Sequence, residues 1–315
     1  MVDKPQDIVF LLVENFSHMA FACALEPFRI ANLVAERNLY RWHIAAENGV
    51  EERCSNGTVT RADRGLQDMP EAILLVVAGL NAKRHATPAI KTFLRRHERL
   101  GSGLIGAICC GSYVLAEAGL LDGRSCALHW QYHDAFMEDH AEVDLDPSVF
   151  VIDGRFVSSS GGTAATDLAL RLIEDAHGSD LARQTAERLV YTSVRTEGEG
   201  QRFSANNRIG IRNARLSAAV ELIEGDLDEP LRTADVARRV GLSPRQLERL
   251  FGRHLNCSPK KYRMEMRLNR ARELLRQTEM SVINVALACG FTSPSHFSKC
   301  YRTRFGSTPY QRGAA

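Results

Sequence analysis

Two stretches in the last third of the chain repeat one another: VARRVGLSPRQLERLF (236–251) and VALACGFTSPSHFSKCY (285–301). Val236 and Val285 stand 49 residues apart, as do Gly241 and Gly290. Leu247 and Phe297, Phe251 and Tyr301, and Pro259 and Pro309 stand 50 apart, so the second turn carries one extra residue. Chance rarely keeps glycine, apolar and proline positions in step over two such stretches; a duplicated supersecondary unit does. This part of the chain must therefore build two equivalent helical units.

Each unit reads as a short helix, a glycine turn and a second helix. Gly241 and Gly290 sit where a helix ends in a left-handed residue, which glycine adopts without steric cost. Ser243 and Ser293 suit the N-cap of the following helix, and Pro244 and Pro294 its first turn. Ser243 and Gln246 also match a capping box. The pattern predicts helix-turn-helix units at about 233–254 and 281–304, whose second helices would enter the DNA major groove. Spacing places Leu247, Leu250 and Phe251 on the apolar stripe of the first reading helix. Arg245, Gln246, Glu248, Arg249 and Arg253 lie off it. In the second, Phe297, Tyr301 and Phe305 point inward, leaving Ser295, His296, Lys299 and Arg302 outside. Arg245 and Arg249 suit guanine and Gln246 suits adenine, while Glu248 would accept from cytosine or orient Arg249. Each arginine reads equally well as a phosphate contact.

Charge points the same way. Residues 205–315 carry 20 Lys+Arg against 10 Asp+Glu, whereas residues 1–204 carry 20 against 28. A basic third joined to an acidic remainder selects an anionic partner for that third, with nucleic acid first. The string from Val236 to Leu275, followed by SVINVALACGFTSPSHFSKCYRTRFGSTPYQ, resembles the AraC/XylS family of transcriptional regulators. The resemblance covers about 208–313. It implies two helix-turn-helix units joined by a long helix (about 260–276), binding to promoter DNA, and contact with RNA polymerase as an activator.

The front of the chain is of another kind. Apolar runs IVFLLV (8–13), AILLVVAG (72–79) and LIGAIC (104–109) read as buried strands, and 21–36 and 87–100 have helical spacing. Asp153-Gly154 marks a hairpin, and Gly161-Gly162 leads into a helix that ends at Gly178. This alternation predicts a flavodoxin-like α/β sandwich with a mostly parallel sheet over 1–190. Residues 191–207 are polar and lack aliphatic periodicity; they read as a linker to an all-α domain at 208–315. No apolar run approaches 18 residues, so no membrane partner is expected. The 8 cysteines form no C-x-x-C pair, and the N-terminus reads as a first strand rather than a signal peptide. Reduced thiols and a cytoplasmic setting are expected, with no cofactor and no metal site.

GAICCGS (106–112) places a thiol between a strand and a helix, the geometry of a nucleophile elbow. The longer string AICCGSYVLAEAGLLDGRSCALHW resembles the PfpI-like, class I glutamine-amidotransferase-like superfamily over about 7–190. That match implies Cys109 as the elbow cysteine and His129 as the nearby histidine. Hydrolases of the superfamily add a histidine after the cysteine, or elsewhere in the site, and an acid from the first strand–helix loop. Here Cys110 and Ala20 occupy those positions, with Glu14 earlier in the loop. A thiol without base or acid loses activation, so a binding pocket rather than an enzyme is expected. A cysteine-dependent hydrolase or amidase fused to a DNA-binding module is the main competitor. Redox or soft-metal sensing by Cys109-Cys110, and a front domain that only dimerises, also stay open.

A PfpI-like sensor followed by AraC-type helices resembles the GlxA-like branch of AraC regulators. LLVENF, LEPFRIANLVAE, LYRWH and SSSGGTAATDLAL look most like regulators of glycine betaine, carnitine, methylamine and arginine catabolism. The resemblance implies a small-molecule effector: an amine, a betaine or an amino acid. A quaternary ammonium is held by aromatic faces and carboxylates. Phe16, Phe21, Tyr113 and Trp130 fall in segments expected at the C-terminal edge of the sheet, where open α/β sheets bind ligands. Glu14 would balance the cation, and the helix N-terminus near Ser112 would take a ligand carboxylate. The expected effector contacts are thus Cys109, His129, Trp130, Phe16, Glu14 and Tyr113, in a protein expected to form a homodimer.

Overall fold

A computed structural model describes residues 4–201, 213–225, 227 and 231–310. They fall into two compact units, one ending at Gln201 and one beginning at Arg202, taken separately below.

The first unit is built on a six-stranded sheet in the order β2-β1-β5-β6-β10-β9. The strands are β1 (Gln6–Leu12), β2 (Tyr40–Ala46), β5 (Ile73–Ala78), β6 (Ile105–Cys109), β9 (Phe150–Asp153) and β10 (Phe156–Ser159). All neighbours are parallel except β9 against β10. The three apolar runs form the centre: Ile8 to Leu12, Leu74 to Ala78 and Ile105 to Cys109 are buried throughout. Near-continuous apolar strands are what a parallel sheet covered on both faces requires. Cover comes from α1 (His18–Val34), α2 (Ala82–His85), α3 (Pro88–Leu100), α4 (Gly111–Glu117), α5 (His133–Asp139), α6 (Ala164–His177) and α7 (Ser179–Arg188). Helices α1, α6 and α7 pack together, as do α2, α3 and α4. The strand order is the flavodoxin-like one, and its direction reverses between β1 and β5.

The hairpin forms one residue later than its motif suggests. Asp153 pairs with Phe156, so Gly154 and Arg155 make the two-residue loop, with Gly154 at φ +61°. Two small pairs have no strong sequence signal: β3 (Glu51–Arg53) with β4 (Val59–Arg61), and β7 (Ser125–Ala127) with β8 (Asp144–Asp146).

The stretch expected as a linker, 191–207, differs in its first part. Residues 191–201 are tied to the first unit. The Tyr191 hydroxyl and the Arg195 backbone N–H both donate to Asp167 Oδ1 at 2.9 Å. The Arg195 guanidinium lies 2.6 Å from Oδ2 of the same fully buried side chain. Gln201 donates to the carbonyls of Leu128 and Ser148. Polar residues are needed here because their partner is a buried carboxylate, which costs free energy unless paired. Residues 202–207 lie outside the described residues.

In the second unit, α8 (Ala214–Gly225), α9 (Thr233–Arg239) and α10 (Pro244–Leu255) share a core of Leu216, Val220, Ile223, Val236, Leu247 and Phe251. Helix α11 (Pro259–Gln277) leads to α12 (Val282–Ala288) and α13 (Pro294–Phe305). No helix among the described residues is long and apolar enough to cross a membrane.

Candidate functional site

Cys109 ends β6 and α4 starts two residues later, which forces the thiol residue into a left-handed turn at φ +61°. This is the strained elbow expected of GAICCGS. Gly111 follows because its α-carbon lies against β5: a β-carbon there would stand 2.2 Å from the Val76 carbonyl oxygen. Ser112 Oγ donates to the Ala127 carbonyl at 2.6 Å and fixes the first turn of α4.

The thiol at the tip is closed in. Cys109 is 7% exposed and Cys110 fully buried. Their sulfurs lie 4.0 Å apart as free thiols. The Cys110 S–H holds the Cys109 pKa below the ordinary thiol value, burial opposing it and the Cys110 backbone N–H adding to the lowering. Burial pushes Cys110 well above that value. Cys110 is the one hydrogen-bond partner of the Cys109 thiol among the described residues. His129, where the resemblance puts the nearby histidine, turns elsewhere. Its Nδ1 accepts from the Gln131 N–H at 3.4 Å and its ring stacks on Trp130, centroids 5.8 Å apart. Burial, then the neighbouring His133, lowers its pKa. Ala20, at the position of the superfamily's acid, is a buried residue of α1. The elbow has its shape and a biased thiol, but among the described residues no base and no carboxylate bonds the sulfur.

Of the four aromatic residues proposed from sequence, three are buried and one is exposed. Phe16 is fully buried, bridged to Cys54 and Gly79 and set edge-on to Phe21 at 5.9 Å. Phe21 is edge-on to Phe10. Tyr113 is 3% exposed, packs edge-on against Phe136 and His140, and donates its hydroxyl to Asp139 at 3.2 Å. These three are thus buried side chains in the structure. Being apolar and close to strand ends, they pack inward where burial is most favourable. Trp130 remains 41% exposed beside His129. Glu14 is on the surface of the first loop, 3.1 Å from His85 Nδ1. The opposite ring nitrogen of His85 lies 3.2 Å from the Asn15 amide. Sequence reasoning missed His85, and also His18, whose ring meets Thr58 and Cys54. Both come from positions 36 to 71 residues away from their partners, which no local pattern links.

The duplicated units close their first helices with equivalent bonds. Gly241 and Gly290 take φ +67° and +72°. The Gly241 N–H donates to the Arg238 carbonyl and the Leu242 N–H to Ala237; Gly290 and Phe291 do the same to Leu287 and Ala286. This is the Schellman closure in both units. Ser243 and Ser293 cap α10 and α13, and each helix opens with proline. The extra residue of the second unit is absorbed between Gly290 and Ser293. Leu247, Phe251, Phe297 and Tyr301 are buried. Arg245, Gln246, Glu248, Arg249, Ser295, His296 and Lys299 are all exposed. Neither Arg245 nor Arg249 meets a carboxylate among the described residues, so both guanidiniums are open to a ligand. Gln246 is partly committed: its Oε1 accepts the Ser243 N–H at 2.8 Å in a complete capping box. Reading adenine with both amide atoms would require opening that bond. His296 Nε2 faces Cys300 Sγ at 3.4 Å, one turn on.

Comparison with known proteins agrees with both halves. Residues 6–175 match the DJ-1/PfpI family and residues 236–312 a helix-turn-helix domain family. The chain is 44% identical over 307 residues to the HTH-type transcriptional regulator CdhR of Pseudomonas aeruginosa, covering 97% of this chain and 91% of that one. It is 38% identical over 306 residues to the HTH-type transcriptional regulator GlxA of Rhizobium meliloti, covering 96% and 94%. The crystal structure of an AraC family transcriptional regulator from Pseudomonas putida has the fold of the first unit. It is matched with a TM-score of 0.54 at 24% identity, over 59% of this chain and all of that one. With a DJ-1/PfpI domain in front and two AraC-type helix-turn-helix units behind, the chain belongs to the GlxA-like branch of the AraC family of transcriptional regulators.

Proposed function

We propose that the protein is a ligand-responsive activator that binds promoter DNA through α10 and α13. The observation that carries this reading is the pair of equivalent reading helices, each with a buried apolar stripe and an exposed face bearing Arg245 and Arg249 or His296 and Lys299. Two such helices presented by one chain suit successive major-groove faces of one site. Arg245 and Arg249 contact guanine, Glu248 and Gln246 support the first half-site, and Ser295, His296 and Lys299 serve the second. RNA polymerase is the partner of the bound regulator, the working form is a homodimer, and the setting is the cytoplasm.

In this reading the first unit is a sensor and not an enzyme. A cysteine without a base or acid on its sulfur is poorly activated for turnover. The effector is a small amine, quaternary ammonium compound or amino acid, taken up beside the elbow with Trp130, His129 and Glu14 as contacts and Cys109 in the wall. Only a ligand that binds the active arrangement more tightly shifts the population towards it. The test is thermal unfolding of the full chain against glycine betaine, dimethylglycine, carnitine, choline and arginine. A shift by one compound, reduced in Trp130→Ala, supports the reading; no shift by any of them removes the effector class. Turnover lost in Cys109→Ala would overturn the non-enzyme assignment. Protection of one contiguous DNA site, shortened at one end by Lys299→Ala, is the expected footprint.

A further inference from the structure

The first unit has a concavity at the other end of the sheet from Cys109. Leu104, on its wall, precedes β6, and Cys109 ends that strand; at about 3.3 Å per residue the two ends are roughly 17 Å apart. The cavity has a volume of about 1020 Å³, ample for a small organic ligand. It is enclosed by the starts of β1, β2 and β5, the β9–β10 hairpin and the end of α6. Its floor is apolar: Leu39, Val157 and Leu172 are buried, and Ile73, Leu104 and Ile152 are half-buried.

Polar residues also line it, among them Tyr40 and, at the rim, Lys4, Arg37, Glu71, Asp175 and His177. Tyr40 is 4% exposed, its ring is edge-on to Phe28 and to His177, and its hydroxyl is buried with no hydrogen-bond partner among the described residues. Buried hydroxyls are normally bonded, so this one, on a residue that lines the cavity, lacks an acceptor. Burial raises its pKa, which keeps it a neutral donor. At the rim, Lys4 approaches Glu71 at 3.9 Å, and Asp175 is bonded to Arg171. Arg37, also on the rim, is exposed and has no carboxylate partner among the described residues. A donor inside and an unpaired cation outside select an anion that carries oxygen acceptors.

We propose that this cavity binds an apolar carboxylic acid, its chain on the Leu39–Leu104–Leu172 floor and its charge against Arg37, with the Tyr40 ring turning from its buried position so that the hydroxyl donates to an oxygen of the ligand. It is a site separate from the elbow and independent of the effector assigned there. A regulator with two small-molecule sites on opposite sheet edges can integrate two metabolites.

Octanoate is the probe, titrated calorimetrically into the full chain, with octanamide as its uncharged counterpart. Saturable binding of octanoate is expected, with octanamide at least tenfold weaker. Arg37→Gln, a surface change that leaves the core intact, should weaken octanoate about tenfold and leave octanamide unchanged. Tyr40→Phe should weaken both ligands severalfold without lowering the melting temperature of the free protein. No saturable binding overturns the proposal. So does equal affinity for acid and amide, and so does octanoate binding that neither variant alters.

Discussion

Gly161 lies directly over Cys109: a β-carbon on Gly161 would stand 2.5 Å from Cys109 Cβ and 2.9 Å from its Sγ. The loop after β10 thus closes the elbow with bare backbone, and at φ +86° it does so in a conformation that side chains resist. Gly161→Ala should destabilise the first unit by about 1–3 kcal/mol through backbone strain and overlap. Unfolding followed by tryptophan fluorescence reads this cleanly, because both tryptophans, Trp42 and Trp130, belong to that unit. The same substitution should speed modification of Cys109 by a thiol reagent. An unchanged melting curve and unchanged labelling would mean that the loop is free to lift.

On the DNA side, Arg245→Ala and Arg249→Ala should each weaken binding to the cognate site by about 1–3 kcal/mol, and binding to random DNA much less. Gel-shift titrations at one fixed salt concentration separate the two. Equal losses on both DNAs would make them phosphate contacts.

Ser243→Ala tests the other role in that helix. It removes the cap on the Gln246 N–H and should cost about 1 kcal/mol of stability in the second unit. The other half of the box survives, because Gln246 Oε1 bonds the backbone N–H of residue 243, which alanine keeps. If Gln246 reads adenine, Gln246→Ala lowers specific affinity beyond its effect on stability; if it only caps, the two effects match.

Asp167 and Arg195 make a fourth test. Burial pushes the Asp167 carboxyl up, and the bonds from Arg195 and Tyr191 pull it back. Removing the charge from one side of a buried pair leaves the other uncompensated, at about 3–5 kcal/mol. Asp167→Asn should therefore destabilise the first unit and expose 191–201 to limited proteolysis. Retained protease resistance would show that Gln201 and the backbone bonds suffice.

The sequence made some of this legible and hid the rest for a physical reason. Local signals are read within one turn or one strand: Gly241 and Gly290, the serine caps, the apolar runs and the elbow at Cys109 all stand where they were expected. What it could not disclose was which distant residue completes a contact. The polar stretch 191–201 looks like a linker because its partner, Asp167, is buried two helices away. The burial of Phe16 and Tyr113 was equally hidden, because an aromatic side chain near the sheet edge can stay open or turn inward. Tyr40 carried no signal at all until the fold left its hydroxyl without an acceptor.

Acid should weaken the first unit through histidines held neutral. His97 is 1% exposed, with neither ring nitrogen bonded among the described residues. Burial lowers its pKa, opposed by the charge of Asp68 and helped by Arg155. His129, His140 and His177 are lowered as well, by burial first. In the unfolded chain these rings take up protons from about pH 6.5 downwards, whereas the native rings do not until lower pH. The unfolded state then binds more protons, so stability falls as pH drops below about 6.5 and is insensitive to these groups above it. For one ring the slope is at most about 1.4 kcal/mol per pH unit. Urea unfolding at pH 7.5, 6.5 and 5.5, followed by tryptophan fluorescence, should show the loss between the last two. His97→Phe should shrink it while leaving the difference between pH 7.5 and 6.5 small. An equal loss in His97→Phe would move the effect to the other three histidines, and no loss at all would mean that His97 can be protonated in place.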